Sequence, residues 1–284
     1  MNTIKNKKRN GINVFLILVL MLTTATLISS CSKDDDTPTP KKTPVVLVHG
    51  AWQAAYVWEE VKNNLQSQGY QVNVINLKGH GEDETSVSEL SLSGYVNQVK
   101  EAISSFQQPV ILVGHSLGGA IITQTATELP QKIEKLVYVA GFIPQSGKSV
   151  FDYAMQDAGS LLGPVLDFNE DGTLAGLVDP ETNFPNVFIQ DGTTTQKQWV
   201  LQHYKAEAVA PLATPLSYTT QNYQAAGGKY YVFTTLDNAI SYPFQQQMAT
   251  DAGITKTYTI ESGHSPFISK ANELTAILNE ISNH

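Results

Sequence analysis

The sequence predicts an α/β fold, with a mostly parallel, doubly wound sheet and an inserted cap. From Pro44 onwards, short apolar runs alternate with amphipathic stretches. Continuous apolar runs are typical of parallel strands covered on both faces, and the alternation is typical of strand-helix-strand units. The predicted strands are 45–48, 72–77, 110–113, 136–140, 230–234 and 257–260, and the predicted helices are 56–68, 95–105, 120–129, 244–252 and 271–281.

The alternation stops between about residues 142 and 226, where prolines and glycines interrupt any long element. Aromatic residues are scattered through this segment, among them Phe151, Phe188 and Trp199. An insertion of this kind in an α/β sheet indicates a cap over the binding crevice. Its aromatic residues serve either a small core of their own or contacts with a ligand.

The first thirty residues have the pattern of a targeting segment. Four basic residues between Lys5 and Arg9 precede an apolar stretch from Val14 to Leu22, and small polar residues lead to Cys31. The alternative is a membrane-spanning anchor, but the apolar core is about nine residues long, and a spanning helix needs roughly 20. We therefore predict a cleaved secretory signal over 1–30, a lipid-modified Cys31 and a flexible tether over 31–43, followed by one domain over 44–284.

The end of the targeting segment resembles a bacterial lipobox, in which Cys31 becomes the first mature residue. The stretch Ser32-Lys33-Asp34-Asp35-Asp36 resembles the export tag of surface lipoproteins in Bacteroidota, and it also has the composition of a solvated tether. These resemblances imply a protein that is exported and anchored by lipid to the cell envelope, on either face of the outer membrane.

The charge and cysteine content narrow the classes of partner. The four basic residues before Cys31 leave with the signal, so the mature chain has 14 Lys and Arg (18 − 4) against 26 Asp and Glu, a formal charge of −12. An acidic surface of this kind argues against nucleic acid as a partner. Because Cys31 is the only cysteine, no intramolecular disulfide can form.

A candidate nucleophile lies in Gly114-His115-Ser116-Leu117-Gly118. The apolar run 110–113 precedes this turn and a helical stretch follows it, which is the strand-turn-helix order of a nucleophile elbow. We predict Ser116 as the nucleophile. The neighbouring His115 points elsewhere on such a turn, so we interpret it as a packing or hydrogen-bonding residue.

A second Gly-His-Ser triplet supplies the candidate base. His264 follows the last predicted strand, so its imidazole is expected at the carboxyl end of the sheet, whereas Ser265 lies in a loop and is interpreted as a helix cap. The orienting acid is expected after the penultimate strand, and we predict Asp237, with Asp251 and Glu261 as the alternatives. The resulting order of Ser, Asp and His matches a serine hydrolase triad.

Two backbone N–H groups complete the candidate site. Leu117 starts the helix after the elbow, and Ala51 follows Gly50 in the loop after the first strand. We predict that both N–H groups stabilise an oxyanion. The remaining histidines, His49, His80, His203 and His284, do not cluster with Cys or acids at ligand spacing, so we predict no metal site and no cofactor.

From about Pro44 to the C-terminus the chain resembles the α/β-hydrolase family, in the branch of plant methylesterases, hydroxynitrile lyases and related bacterial esterases. The matching motifs are His49-Gly50-Ala51-Trp52 with Trp58, Gly79-His80-Gly81, Gly114-His115-Ser116-Leu117-Gly118-Gly119, Pro211-Leu212-Ala213-Thr214-Pro215, Asp237 with Phe244-Gln245, and Gly263-His264-Ser265-Pro266.

Departures from the pattern distinguish the branches. Hydroxynitrile lyases have a threonine where Gly50 stands and a lysine where Ser265 stands, and without that positive charge a cyanide leaving group is unsupported. Haloalkane dehalogenases and epoxide hydrolases have an aspartate at the position of Ser116. The resemblance implies a carboxylic ester hydrolase without a cofactor, acting on a small or medium apolar ester. The alternatives are a lactonase, amidase or acyltransferase using the same triad, and a non-catalytic receptor for a small ligand.

Overall fold

A six-stranded parallel sheet forms the centre of the folded domain. The structure, a computed structural model, describes residues 42–284 together with Met1 and Thr3, so the predictions for the signal segment and for Cys31 lie outside the described residues. Within 42–284 the strand order is β2-β1-β3-β4-β8-β9, and every neighbouring pair is parallel. The strands are β1 (Val45–Val48), β2 (Val72–Ile75), β3 (Val110–His115), β4 (Ile133–Val139), β8 (Gly228–Thr234) and β9 (Lys256–Ile260).

The predicted α/β class with a mostly parallel sheet is therefore confirmed. All residues of β1 and β3 are buried, which is the burial expected of strands covered on both faces. The larger helices that alternate with these strands are α1 (Glu59–Ser67), α2 (Leu92–Ser104), α3 (Leu117–Glu128), α9 (Tyr242–Asp251) and α11 (Ala271–Asn283). A short helix, α10 (Pro266–Ser269), precedes α11.

Residues 142–226, which we call the cap segment, connect β4 to β8. The segment contains a small antiparallel sheet in the order β5-β6-β7. Its elements are α4 (Val150–Ala154), β5 (Leu166–Phe168), β6 (Leu174–Leu177), α5 (Pro180–Phe188), α6 (Thr194–Gln202), β7 (Glu207–Ala208), α7 (Val209–Ala213) and α8 (Thr220–Ala225). Phe184 and Phe188 are buried, so α5 contributes to the hydrophobic core.

The parallel arrangement brings four loops to one edge of the sheet. The loops after β1, β3, β8 and β9 carry Ala51, Ser116, Asp237 and His264 respectively. The carboxyl ends of parallel strands lie at the same edge, which is where open α/β sheets bind ligands.

None of the helices in the described residues has the length and apolar character of a membrane span.

Candidate active site

Ser116 occupies a strained turn between β3 and α3. Its φ of 52° and ψ of −122° are rarely populated by a residue with a Cβ, and such a conformation costs about 1–3 kcal/mol. The turn is held by backbone bonds in which Gly119 and Phe142 donate to the Ser116 carbonyl, at 2.9 and 3.0 Å. Strain that the surroundings enforce at a nucleophile position is the geometry expected of an elbow.

Close backbone packing explains the glycines around the turn. A Cβ at Gly118 would lie 2.8 Å from the carbonyl oxygens of Val48 and His49, so α3 can approach β1 only without a side chain there. A Cβ at Gly50 would lie 2.6 Å from the Cβ of Ser116. The loop after β1 therefore lies directly against the candidate nucleophile.

His264 is held by Asp237, as the sequence predicts for a base and its orienting acid. The two side chains are buried, and the His264 Nδ1 lies 2.7 Å from the Asp237 Oδ2. Because a carboxylate oxygen accepts, Nδ1 carries the proton and Nε2 remains the basic nitrogen. The Nε2 atom is buried and has no hydrogen-bond partner among the described residues.

Asp237 is fixed by four further donors. Its Oδ1 accepts the backbone N–H groups of Ala239 and Ile240, each at 2.8 Å. Its Oδ2 accepts the Thr234 hydroxyl at 2.7 Å and the Gln245 amide at 3.1 Å. With His264 these donors fill both carboxylate oxygens, so the carboxylate has a single orientation. The alternatives Asp251 and Glu261 are exposed and do not contact His264.

His115 supports the backbone of the candidate base. Its Nε2 lies 2.8 Å from the His264 carbonyl oxygen, which can only accept, and the two ring centroids are 4.5 Å apart. Burial, together with the neighbouring His264, holds the pKa of His115 well below its ordinary value. His115 is thus a neutral hydrogen-bonding residue, in agreement with the interpretation from sequence.

Ser265 occupies the helix-cap position that the sequence predicts, with a different partner for its side chain. It is the N-cap residue of α10, but its side chain makes no capping bond. Instead its hydroxyl is buried and accepts the Gln53 side-chain amide at 2.9 Å. The predicted N-cap position is therefore confirmed, whereas the hydroxyl binds the loop after β1 and does not cap the helix.

The backbone N–H groups of Ala51 and Leu117 lie in the two loops that meet at Ser116. Leu117 is the first residue of α3, and the N–H groups of a first helical turn have no partner within the helix. Neither N–H donates a backbone or side-chain hydrogen bond among the described residues outside regular elements. Both are free to bind an oxyanion beside Ser116.

An apolar cavity of about 30 Å³ lies against Ser116, Ala51 and Leu117. Every lining side chain apart from Ser116 is apolar. The cap segment contributes one wall, formed by Val150, Phe151, Ala154, Leu162, Leu166 and Leu212. The cavity is small, and the cap segment encloses it against the loops after β1 and β3. Within residues 42–284, no group of His, Cys, Asp and Glu could hold a metal ion.

The buried neutral histidines predict acid sensitivity. Burial lowers the pKa of His115 and His49, and the charge of His80 lowers that of His49 further. Below an unfolded pKa of about 6.5 the unfolded chain binds protons that these two folded side chains do not bind, so stability falls as the pH falls. The raised pKa of His80 acts in the opposite direction near pH 6.5, because the folded side chain keeps its proton to higher pH than the unfolded one.

Urea unfolding at pH 6.5 and 5.5 measures this slope. We expect the free energy of unfolding to fall across this range, and His115→Gln to make the fall less steep. An equal slope in the variant and the native protein would exclude the contribution of His115.

Comparison with known proteins places these observations in a family. Residues 45–277 match the profile described as the alpha/beta hydrolase family. The chain belongs to this family, and the predicted fold class is confirmed. Polyneuridine aldehyde esterase, a solved structure, superposes with a TM-score of 0.75 at 20% identity, over 85% of this chain and 99% of its own.

The similar proteins also confirm the predicted branch. A putative chloroplastic methylesterase 11 of Arabidopsis thaliana is 30% identical over 249 residues, which are 83% of this chain and 63% of that protein. This chain therefore spans less than two thirds of that relative's length. An alpha-hydroxynitrile lyase of Arabidopsis thaliana is 27% identical over 255 residues, 85% of this chain and 97% of that protein. The relatives named as esterases support the predicted enzyme class, a carboxylic ester hydrolase.

The sequence did not indicate every residue that contacts this site. Thr234 and Gln245 fix Asp237, and Glu207 accepts the backbone N–H of Trp52 beside Ala51. In the sequence, only the family resemblance marks Gln245. Glu207 lies 155 residues from Trp52 in the chain, and no local motif marks such a pair.

Proposed function

We propose that this protein is a serine esterase that hydrolyses carboxylic esters through Ser116, His264 and Asp237. The observation that carries the proposal is the His264 ring, which Asp237 holds at Nδ1 while the buried Nε2 has no partner among the described residues. His264 follows β9, at the same edge of the sheet as Ser116. A general base at this edge needs its Nε2 free to receive a proton.

The reaction proceeds through an acyl-enzyme intermediate. His264 Nε2 takes the proton from the Ser116 hydroxyl as Oγ attacks the acyl carbon, and Asp237 stabilises the imidazolium that forms. The N–H groups of Ala51 and Leu117 bind the oxyanion of the tetrahedral intermediate. His264 then gives its proton to the leaving alcohol, and a water activated in the same way releases the acid.

The apolar walls of the cavity support a small or medium apolar ester as the substrate. The cavity offers no charged or amide side chain to bind a polar group, so discrimination depends on shape and apolar area. Hydroxynitrile cleavage is disfavoured, because the residue after His264 is the neutral, buried Ser265. Two of the relatives' names, methylesterase and polyneuridine aldehyde esterase, support the ester class.

A substrate panel tests the proposal. The purified protein is assayed against esters, lactones and amides that vary in acyl length, and it is labelled with a fluorophosphonate, which reacts with activated serines. We expect the highest kcat/KM on short apolar esters and labelling of Ser116 that His264→Ala prevents. Higher turnover of lactones or amides would replace the esterase assignment. Absence of both labelling and turnover would favour a non-catalytic receptor.

We further propose that the protein is a lipoprotein, exported and anchored to the cell envelope through a lipid on Cys31. The support is the sequence pattern of residues 1–36. Stable attachment requires several acyl chains, each contributing about 0.8 kcal/mol per buried CH₂. Replacing Cys31 by Ala should move the protein to the soluble fraction, and an unchanged membrane fraction would exclude the lipid anchor.

A further inference from the structure

A buried ion pair connects the cap segment to the central domain. The His80 Nε2 lies 2.7 Å from the Glu207 Oε2, and both side chains are almost fully buried. His80 belongs to the turn after β2, and Glu207 belongs to β7 of the cap sheet. The proposed triad uses neither residue.

The geometry indicates that this pair is charged. The His80 Nδ1 lies 2.9 Å from the Lys78 carbonyl oxygen, which can only accept. With Glu207 at Nε2, both ring nitrogens face acceptors, as in an imidazolium. Burial acts to lower the pKa of His80, but the Glu207 carboxylate outweighs it and raises that pKa.

Glu207 also holds the loop that carries Ala51. The same Oε2 atom accepts the Trp52 backbone N–H at 3.1 Å. Trp52 has a φ of 58°, a left-handed conformation that is uncommon for a bulky residue and persists only where the surroundings enforce it. The Trp52 indole Nε1–H donates to the Ala175 carbonyl of β6 at 2.8 Å. Both N–H groups of Trp52 are thus bound to the cap segment.

His49 holds the other side of the same loop. Its pKa lies well below the ordinary value because of burial and of the charge on His80, and a neutral ring can accept at one nitrogen and donate at the other. The Leu77 N–H donates to Nε2 at 3.1 Å, and Nδ1 lies 2.8 Å from the Gly50 carbonyl oxygen. The peptides on both sides of Ala51 are therefore fixed by side chains.

We infer that Glu207, paired with His80, is a positioning residue that fixes the left-handed Trp52 and so aims the Ala51 N–H at the oxyanion. A carboxylate of the cap segment thereby assembles part of the oxyanion hole in the central domain. The catalytic consequence rests on the proposed ester hydrolysis, whereas the bond to Trp52 does not.

Two measurements on Glu207→Ala test the inference. The first is amide hydrogen exchange of Trp52 by NMR, which we expect to become at least about tenfold faster, because exchange follows local opening. The second is kinetics on p-nitrophenyl butyrate. We expect kcat to fall by about 10- to 100-fold with KM within about threefold, because the oxyanion exists only after attack on the ester.

Two further variants separate positioning from simple attachment of the cap. Glu207→Gln keeps an acceptor oxygen for Trp52, so it should restore most of the amide protection and kcat. Lys205→Ala removes a bond from the same segment to the Asp83 carbonyl, 2.9 Å long, without touching Trp52. It should leave both measurements unchanged, and a loss equal to that of Glu207→Ala would overturn the inference.

The exchange measurement keeps the inference separate from the proposed function. Unchanged Trp52 exchange in Glu207→Ala would overturn the inference whatever the activity. A native protein without turnover on any ester would contradict the proposed function, while faster Trp52 exchange would still support the positioning bond. If Glu207→Ala does not fold, the double variant Glu207→Met with His80→Phe removes both charges together, which proteins often tolerate, and the same outcomes apply to it.

Discussion

Replacing Ser116 by alanine is expected to lower kcat on a short p-nitrophenyl ester by at least about 10³-fold. The hydroxyl forms the covalent bond in the proposed mechanism, so its removal leaves only the contribution of the oxyanion hole and binding. The fold should persist, because Ser116 donates no side-chain hydrogen bond that other described residues need. Alanine has a Cβ as serine does, so the strained turn remains, and thermal unfolding should shift by only a few degrees.

Ser265→Ala is the matched control, since both serines follow a Gly-His pair. It removes the bond from Gln53 and should cost about 1 kcal/mol of stability, while kcat stays within about threefold. Full activity of Ser116→Ala, or a larger loss in Ser265→Ala, would contradict the assignment of the nucleophile.

Replacing Asp237 by asparagine is expected to lower kcat by about 10²- to 10⁴-fold. The Asp237 carboxylate accepts five hydrogen bonds. The NH₂ group of an asparagine at this position cannot accept them, so it faces other donors. His264 then loses the acceptor that keeps the proton on Nδ1, and its Nε2 is no longer the basic nitrogen. The variant should still bind substrate with a similar KM, because the carboxylate lies behind the imidazole.

Asp251→Asn and Glu261→Gln provide the controls for this variant. Both side chains are exposed, and they are the alternatives that the sequence left open. In steady-state kinetics of the three variants, kcat should fall only for Asp237→Asn. A larger loss in Glu261→Gln or Asp251→Asn would move the role of orienting acid to that residue.

The sequence predicts the central sheet well where the strands are uniformly apolar. The bounds of β1 agree with the predicted 45–48. The strand β4 starts at Ile133, three residues before the predicted start. The prediction misses these residues because Glu134 and Lys135 interrupt the apolar run. The ammonium group of the buried Lys135 donates to the Glu134 carboxylate and to the Ser282 carbonyl. Ser282 is distant along the chain, so no local sequence pattern indicates this bond.

The sequence predicts the cap segment only as an insertion, because its elements are short. Its strands β5, β6 and β7 contain three, four and two residues, too few for an alternating pattern to stand out. Likewise, the motifs indicated a base and an acid in the correct loops, but the support of Trp52 by Glu207 depends on how distant segments pack.

The direction of the parallel strands separates the start of the described domain from the site. The chain enters the folded domain at the amino end of β1, whereas Ser116 and His264 follow the carboxyl ends of their strands. The described domain therefore begins at the edge of the sheet opposite to the site.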